Sequence, residues 1–235
     1  MHILITGTSS GIGHGLAQEF LARDAKVWGI SRRVADDLSP HPNYHHLALD
    51  LTDHDEVQRM VPEFLMDSKR FDLVILNAGV LGPIKWMSEV ETDAMKQVME
   101  INVWANKVLL DLLYELGKDI RQVIGMSTQA SLRSTPGWGA YAISKAALNM
   151  LMNVYAQEHL NTHFSAFAPG LVDSDMQKTI FNIQETDKYP TVKKLQEARY
   201  TESMPDSRAA ASKLILGMEK ALQYDSGLFN DVREM

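Results

Sequence analysis

Two spacings of apolar residues alternate along this chain. Short apolar and β-branched runs lie at residues 2–6, 26–30, 71–76, 122–126 and 162–168; another ends at Leu47 to Leu51, and a last one sits at Gly227 to Phe229. Runs that are apolar on successive positions suit strands buried on both faces, as in a parallel sheet. Between them, apolar residues recur every three or four positions. Leu16, Ala17, Phe20 and Leu21 share one helical face, and Val57, Met60, Val61 and Phe64 share another, with Thr52 or Asp53 as its cap. Longer helical patterns run from about Asp93 to Leu116, from Tyr141 through Leu148, Leu151, Met152 and Tyr155, and from Asp206 to Leu222. Strand and helix thus alternate throughout. The pattern predicts an α/β fold: a Rossmann-type, doubly wound parallel sheet of about seven strands with helices on both faces. No repeat or linker divides the 235 residues, so a single domain over 1–235 is expected.

Three stretches break the pattern. Residues 174–205 are polar and interrupted, with short helical pieces near Met176 to Ile183 and Thr191 to Tyr200. An insertion after a strand's carboxyl end suits a substrate loop. Val34 to His46 is rich in Pro and His, but His41, His45, His46 and His54 lack helical ligand spacing, so no metal site is expected. Asn102 interrupts an apolar helix and needs either solvent or a buried partner.

The ends of the strands carry the chemistry. The first is followed by Gly7-Thr8-Ser9-Ser10-Gly11-Ile12-Gly13 and then a helix. Glycines there let the backbone turn tightly and approach a pyrophosphate seated on the helix N-terminus. The second strand ends at Ser31, where an acidic residue would accept from the ribose of NAD, and Arg32 and Arg33 follow. Two guanidinium groups suit a 2′-phosphate, which points to NADP(H). Asp50 ends the third strand, either to meet the adenine amine or to cap a turn; Asn77-Ala78-Gly79, Ser127-Thr128 and Pro169-Gly170 end the next three. In a parallel sheet all of these converge beyond the carboxyl edge. Tyr141 and Lys145 stand four apart near the start of a helix, on one face. An ammonium one turn from a phenol favours the phenolate and should draw its pKa down toward a working range.

Composition narrows the function classes. A net charge of −7 argues against a nucleic-acid partner. No cysteine is present, so disulfides, thiolate metal sites and a Cys nucleophile are excluded. No run of about 18 apolar residues could span a membrane. The strand-like run beginning at Ile3 leaves no space for a signal peptide, so a cytoplasmic protein is expected.

The ordered set Thr6-Gly7-x-x-x-Gly11-Ile12-Gly13, Asn77-Ala78-Gly79, Asn102, Ser127-Thr128, Tyr141-x-x-x-Lys145 and Pro169-Gly170 resembles the signature of the short-chain dehydrogenase/reductase superfamily, from residue 3 to about 230. Gly137 to Tyr141, Ala168 to Gln177 and the tail Gly227 to Asp231 are similar to the sepiapterin reductase and benzil reductase branch. The resemblance implies an NADPH-dependent carbonyl reductase acting on a ketone or diketone. Tyr141 would be the general acid, and Lys145 would hold the nicotinamide ribose and lower the Tyr pKa. Asn102 would use a helix irregularity to hold a water in a relay to Lys145. The family's usual Ser, thirteen residues before the Tyr, is here Thr128, with Ser127 as the alternative. Cofactor contacts are implied for Gly7, Ser9, Ser10, Gly11, Ile12, Gly13, Arg32, Arg33, Asp50, Leu51, Asn77, Ala78, Gly79, Tyr141, Lys145, Pro169, Gly170, Val172 and Ser174. Trp138, Met176 and Asp231 are implied to meet substrate, although Trp138 and Met176 also fit core packing and Asp231 a surface turn. A homodimer or homotetramer is expected from the apolar helices around Val98 to Leu113 and Leu148 to Tyr155. Two rival functions remain at this point: a non-catalytic NADP(H)-binding sensor, and a ketoreductase for acyl-carrier-protein substrates.

Overall fold

The computed structural model describes residues 1–133 and 135–235. Its elements run β1 (His2–Thr6), α1 (Gly11–Ala22), β2 (Lys26–Ser31), β3 (Tyr44–Ala48), α2 (His54–Phe64), β4 (Arg70–Phe71), β5 (Leu73–Leu76), α3 (Thr92–Met99), α4 (Ala105–Glu115), β6 (Asp119–Ile120), β7 (Gln122–Met126), α5 (Gly139–Glu158), β8 (His163–Ala168), α6 (Asp175–Phe181), α7 (Pro190–Ala198), α8 (Ser207–Ala221) and β9 (Phe229–Asp231). Seven strands form one sheet in the order β3-β2-β1-β5-β7-β8-β9, every neighbouring pair parallel. β4 and β6 make a separate two-residue ribbon that the sequence pattern did not reveal.

The chain winds outward from β1 to β3, then returns to β5 and winds the other way. Strand order therefore reverses between β1 and β5, which leaves a crevice outside their carboxyl ends. Both sheet faces are covered, and the period-two alternation of the strands assigns their side chains. Ile3, Ile5, Ile75 and Ile124 pack with Leu16, Phe20, Leu214 and Met218 of α1 and α8. Leu4, Val74, Leu76 and Val123 pack with residues of α2, α4 and α5, including Val57, Leu109 and Leu148.

Most boundaries fall where the pattern places them. Asp53 caps α2 by accepting from the Glu56 N–H at 3.1 Å, and Asp206 caps α8 by accepting from the Arg208 and Ala209 N–H groups. Three differ. β3 starts at Tyr44, so His45 and His46 belong to a strand; the pleat turns their rings aside, His45 onto Trp28 and His46 toward Ser31. β9 comes two residues later than expected, because its register is set by pairing with β8. The long helix from Asp93 is interrupted by a π-helical segment, Glu100–Trp104, that contains Asn102. Within the 174–205 stretch, α6 and α7 bring Ile180, Tyr189 and Val192 onto Leu81 and Trp138, forming a third apolar cluster over the sheet's edge.

Candidate active site

A cavity of about 540 Å³ opens at the crevice between β1 and β5. Its floor is the glycine turn. Gly7 has φ +77°, a conformation that costs side-chain-bearing residues strain. A Cβ on Gly13 would lie 2.4 Å from the Gly7 carbonyl oxygen and 2.5 Å from Asn77 Nδ2. The turn is tied to the end of β5: Asn77 Nδ2 donates to the Thr6 carbonyl at 2.9 Å, and Thr6 Oγ1 accepts from the Asn77 and Ala78 N–H groups, both at 2.9 Å. Ser10 is the N-cap of α1 but its side chain does not cap the helix, so it leaves the first-turn amides to a ligand.

The outer wall carries the positive charge. Arg32 and Arg33 are exposed on it, and neither guanidinium has an ion-pair partner among the described residues. Asp50 stands opposite. Its Oδ1 accepts from the Thr52 N–H at 3.0 Å and the Thr52 hydroxyl at 2.8 Å, which holds its pKa below the usual carboxylate range. It is thus a turn cap whose Oδ2 has no hydrogen-bond partner among the described residues.

The inner end holds the titratable pair. Lys145 is buried and its Nζ donates to the Met126 carbonyl at 2.7 Å. Burial pushes its pKa down to about 8. Tyr141 lines the cavity, and its hydroxyl makes no hydrogen bond to the described residues. Burial pushes this phenol up to about 12. The expected lowering by Lys145 is therefore reversed: burial raises the phenol instead. The ammonium is turned toward the Met126 carbonyl, 5.9 Å from the Tyr141 ring centroid, and loss of solvent dominates.

Asn102 has the buried partner its position demanded. Its Oδ1 accepts from the Val80 N–H at 2.8 Å, and its Nδ2 donates to the Val80 carbonyl and to Ser144 Oγ, both at 2.9 Å. Ser144 Oγ in turn donates to the Tyr141 carbonyl at 2.8 Å. The side chain is fully engaged, so it fixes the β5 loop to α5 rather than facing the cavity. The Asn102 carbonyl accepts from Asn106 Nδ2 at 2.9 Å.

The two candidate hydroxyls differ in their protons. Ser127 lines the cavity, but its hydroxyl donates to Asn149 Oδ1 at 2.5 Å. Thr128 lies just beyond the wall; its Oγ1 accepts from the Ala130 N–H at 3.3 Å and keeps its own proton uncommitted among the described residues.

Of the residues read from the sequence, Gly7, Ser9, Ser10, Gly11, Ile12, Leu51, Asn77, Ala78, Gly79, Pro169, Ser174 and Met176 join Arg32, Arg33, Asp50, Tyr141 and Lys145 on the cavity wall. Gly13, Gly170 and Val172 lie behind it, Val172 in the core beneath α1 and α8. Trp138 is buried in the third apolar cluster, 6.4 Å from the Tyr141 ring between centroids. Asp231 is not brought to the cavity: it is buried, held by Arg233 through two bonds of 2.9 and 2.6 Å and by Gln129 Nε2 at 2.8 Å. Arg233 follows it at the end of the chain and was not weighed in the sequence. Met126, Val80 and Thr179 are wall residues the sequence reading missed; only the strand-end position of Met126 could have signalled it.

The family model for short chain dehydrogenase matches residues 1–185. The chain belongs to the short-chain dehydrogenase family. This dehydrogenase is 30% identical to benzil reductase of Bacillus cereus over 195 residues, 76% of the chain and 78% of that protein. It is 27% identical to sepiapterin reductase of Bos taurus over 252 residues, 97% of the chain and 92% of that protein. The crystal structure of the KRED1-Pglu enzyme superposes with a TM-score of 0.84 at 25% identity, covering 97% of this chain and 99% of that one. The dehydrogenase is accordingly an oxidoreductase acting on CH–OH or C=O groups with a nicotinamide cofactor.

Proposed function

We propose that this dehydrogenase is an NADPH-dependent reductase of ketones or diketones, benzil-like or bearing a pterin side-chain carbonyl. The observation that carries the reading is Tyr141. Its phenol is held protonated by burial, its hydroxyl has no hydrogen-bond partner among the described residues, and it lines a cavity whose wall also carries Arg32 and Arg33, neither ion-paired among those residues. The site fits the cofactor: a Cβ at Gly13 would fill the cradle, the α1 amides are uncapped, and Arg32 and Arg33 suit a 2′-phosphate.

When bound, the nicotinamide supplies the hydride that reduces the carbonyl carbon. Tyr141 donates its proton to the carbonyl oxygen, which a neutral phenol can do and a phenolate cannot. Lys145 holds the ribose hydroxyls, and its charge then favours loss of the Tyr141 proton. The Asn102 carbonyl, within the π-helical segment, would accept from a water leading to Lys145. Residues 174–205 form the substrate loop: Met176 lines the cavity, backed by the buried cluster of Trp138, Tyr189 and Val192, an apolar setting suited to a bulky or aromatic ketone. Benzil reductase and sepiapterin reductase among the relatives support the same class.

Fluorescence titration tests the cofactor. Wild-type protein is expected to bind NADPH at least about tenfold more tightly than NADH, and Arg32→Ala to erase most of that difference. Equal affinity for the two in the wild type would sink the NADP(H) reading.

We assign the second donor to the substrate oxygen to Thr128, because the Ser127 proton is already spent on Asn149. Thr128→Ala should lower kcat about a hundredfold, while Thr128→Ser restores it. A larger loss in Ser127→Ala than in Thr128→Ala would reverse the assignment.

Pairing of subunits is proposed through the outer faces of α4 and α5. Leu148, Met152 and Tyr155 are buried against the sheet, whereas Trp104, Ile143, Met150 and Val154 are exposed, and the three on α5 form one stripe. Gel filtration with light scattering should show a dimer or tetramer in the cytoplasmic concentration range; Met150→Glu should shift it toward monomer.

A further inference from the structure

A buried polar chain lies beneath the arginine rim of the cavity. Ser31 Oγ donates to the Arg33 carbonyl at 2.8 Å, so its only proton is spent. His46 Nε2 stands 3.0 Å from the same oxygen and Thr8 Oγ1 stands 3.3 Å from it. With its proton committed, Ser31 can only accept from both of them. Thr8 has then given its proton to Ser31, and Tyr44, 2.8 Å from Thr8 Oγ1, must donate to Thr8. The hydroxyl protons therefore run one way, from Tyr44 to Thr8 to Ser31 to the Arg33 carbonyl, with His46 as a second donor to Ser31. Burial keeps His46 below its ordinary pKa, against a smaller raising effect of a hydrogen bond to the Arg33 backbone; since Ser31 can only accept, Nε2 must carry the proton. Space for this chain is reserved by Gly29, where a Cβ would lie 2.5 Å from Tyr44 Oη and 2.6 Å from Thr8 Oγ1.

The arrangement has a consequence for the cofactor. Ser31 lines the cavity, yet its hydroxyl has nothing left to give a phosphate. Its work is to clamp the backbone that carries Arg32 and Arg33. Thr8 belongs to the glycine turn, so the same oxygen links that turn to the arginine loop.

We propose that His46 is a positioning residue for cofactor selectivity: by donating to Ser31 it fixes the Arg32–Arg33 loop in the shape that receives the ribose 2′-phosphate. The proposal rests on the NADP(H) reading of the site. It assigns selectivity to a residue in the middle of β3, behind Ser31 and the arginine loop, where no charge is needed.

The test is a paired titration of the full-length protein with NADPH and NADH, with the melting temperature of each variant recorded. His46→Leu removes the donor; Ser31→Ala removes the junction and serves if the first variant does not fold. Both should weaken NADPH binding about fivefold, the net value of one hydrogen bond, and leave NADH within about twofold. His46→Gln, which can donate from an amide at a similar reach, should return NADPH affinity to near the wild-type value. Equal weakening of both cofactors, or unchanged NADPH affinity in a folded variant, overturns the proposal while the NADP(H) reading stands. A wild-type protein that binds both cofactors alike removes that reading and this proposal with it.

Discussion

Replacing Tyr141 with Phe is expected to lower kcat about a thousandfold while NADPH binds within about twofold of wild type. The lost step is proton donation to the carbonyl oxygen, and positioned general acids contribute roughly 10²–10⁴-fold. The substitution is structurally mild here. The hydroxyl has no hydrogen-bond partner among the described residues, and the ring's contact with Trp138 does not depend on it. Lys145 keeps its bond to the Met126 carbonyl, so the cation proposed to hold the ribose remains in place. Steady-state kinetics on a diketone such as benzil, beside a cofactor titration, separates the two effects. Turnover within tenfold of wild type would remove Tyr141 from the role of acid. Absence of turnover in wild-type protein over a broad ketone panel would instead favour a protein that binds the cofactor without using it.

Lys145→Met should affect activity and stability in opposite directions. The proposed mechanism requires the ammonium, and burial sets its pKa near 8 against 10.5 for a free Lys. In the wild type kcat/KM for NADPH, which reports the free enzyme, should therefore fall as pH rises through about 8. The variant should have lost most activity at every pH and show no such fall. For stability the sign follows from proton binding. Between pH 8 and 10.5 the unfolded Lys145 holds a proton that the folded one has lost, so this group makes stability rise with pH across that window. Below pH 8 the folded protein keeps an ammonium out of water with only one carbonyl partner. Methionine of similar length removes that burden, so the variant should melt no lower than wild type at pH 7, and it should lack this part of the rise between pH 8 and 10. Thermal melts of the two proteins across pH decide it; a variant clearly less stable at pH 7 would show that the Met126 bond outweighs the burial.

Much of this was legible in the chain because its causes are local. A run such as Leu73–Leu76 is apolar on every position, and only a strand covered on both faces uses that pattern. The glycine turn is equally explicit, since Gly7 and Gly13 answer to a backbone angle and a close approach that no other residue meets cheaply. Asn102 announced its own irregularity, and the π-helical segment resolves it.

Other features depend on partners far away in sequence. That Asp231 pairs with Arg233 and Gln129, away from the cavity, follows from how β9 pairs with β8 and where the chain turns after it. The helical spacing of Tyr141 and Lys145 placed both on one face, but it could not say that Lys145 would be drawn to the Met126 carbonyl and that burial would raise the phenol. Nor could it show that Ser127 gives its proton to Asn149 of α5, the contact on which the proposed preference for Thr128 rests. The sequence by itself determined the sheet, the order of the strand ends and the residue types offered at the cofactor's crevice, because periodicity and glycine geometry act within a few residues. Only the tertiary structure decided which of those groups keep a free proton or charge, because desolvation and hydrogen-bond competition are set by neighbours that the chain brings together after tens of residues.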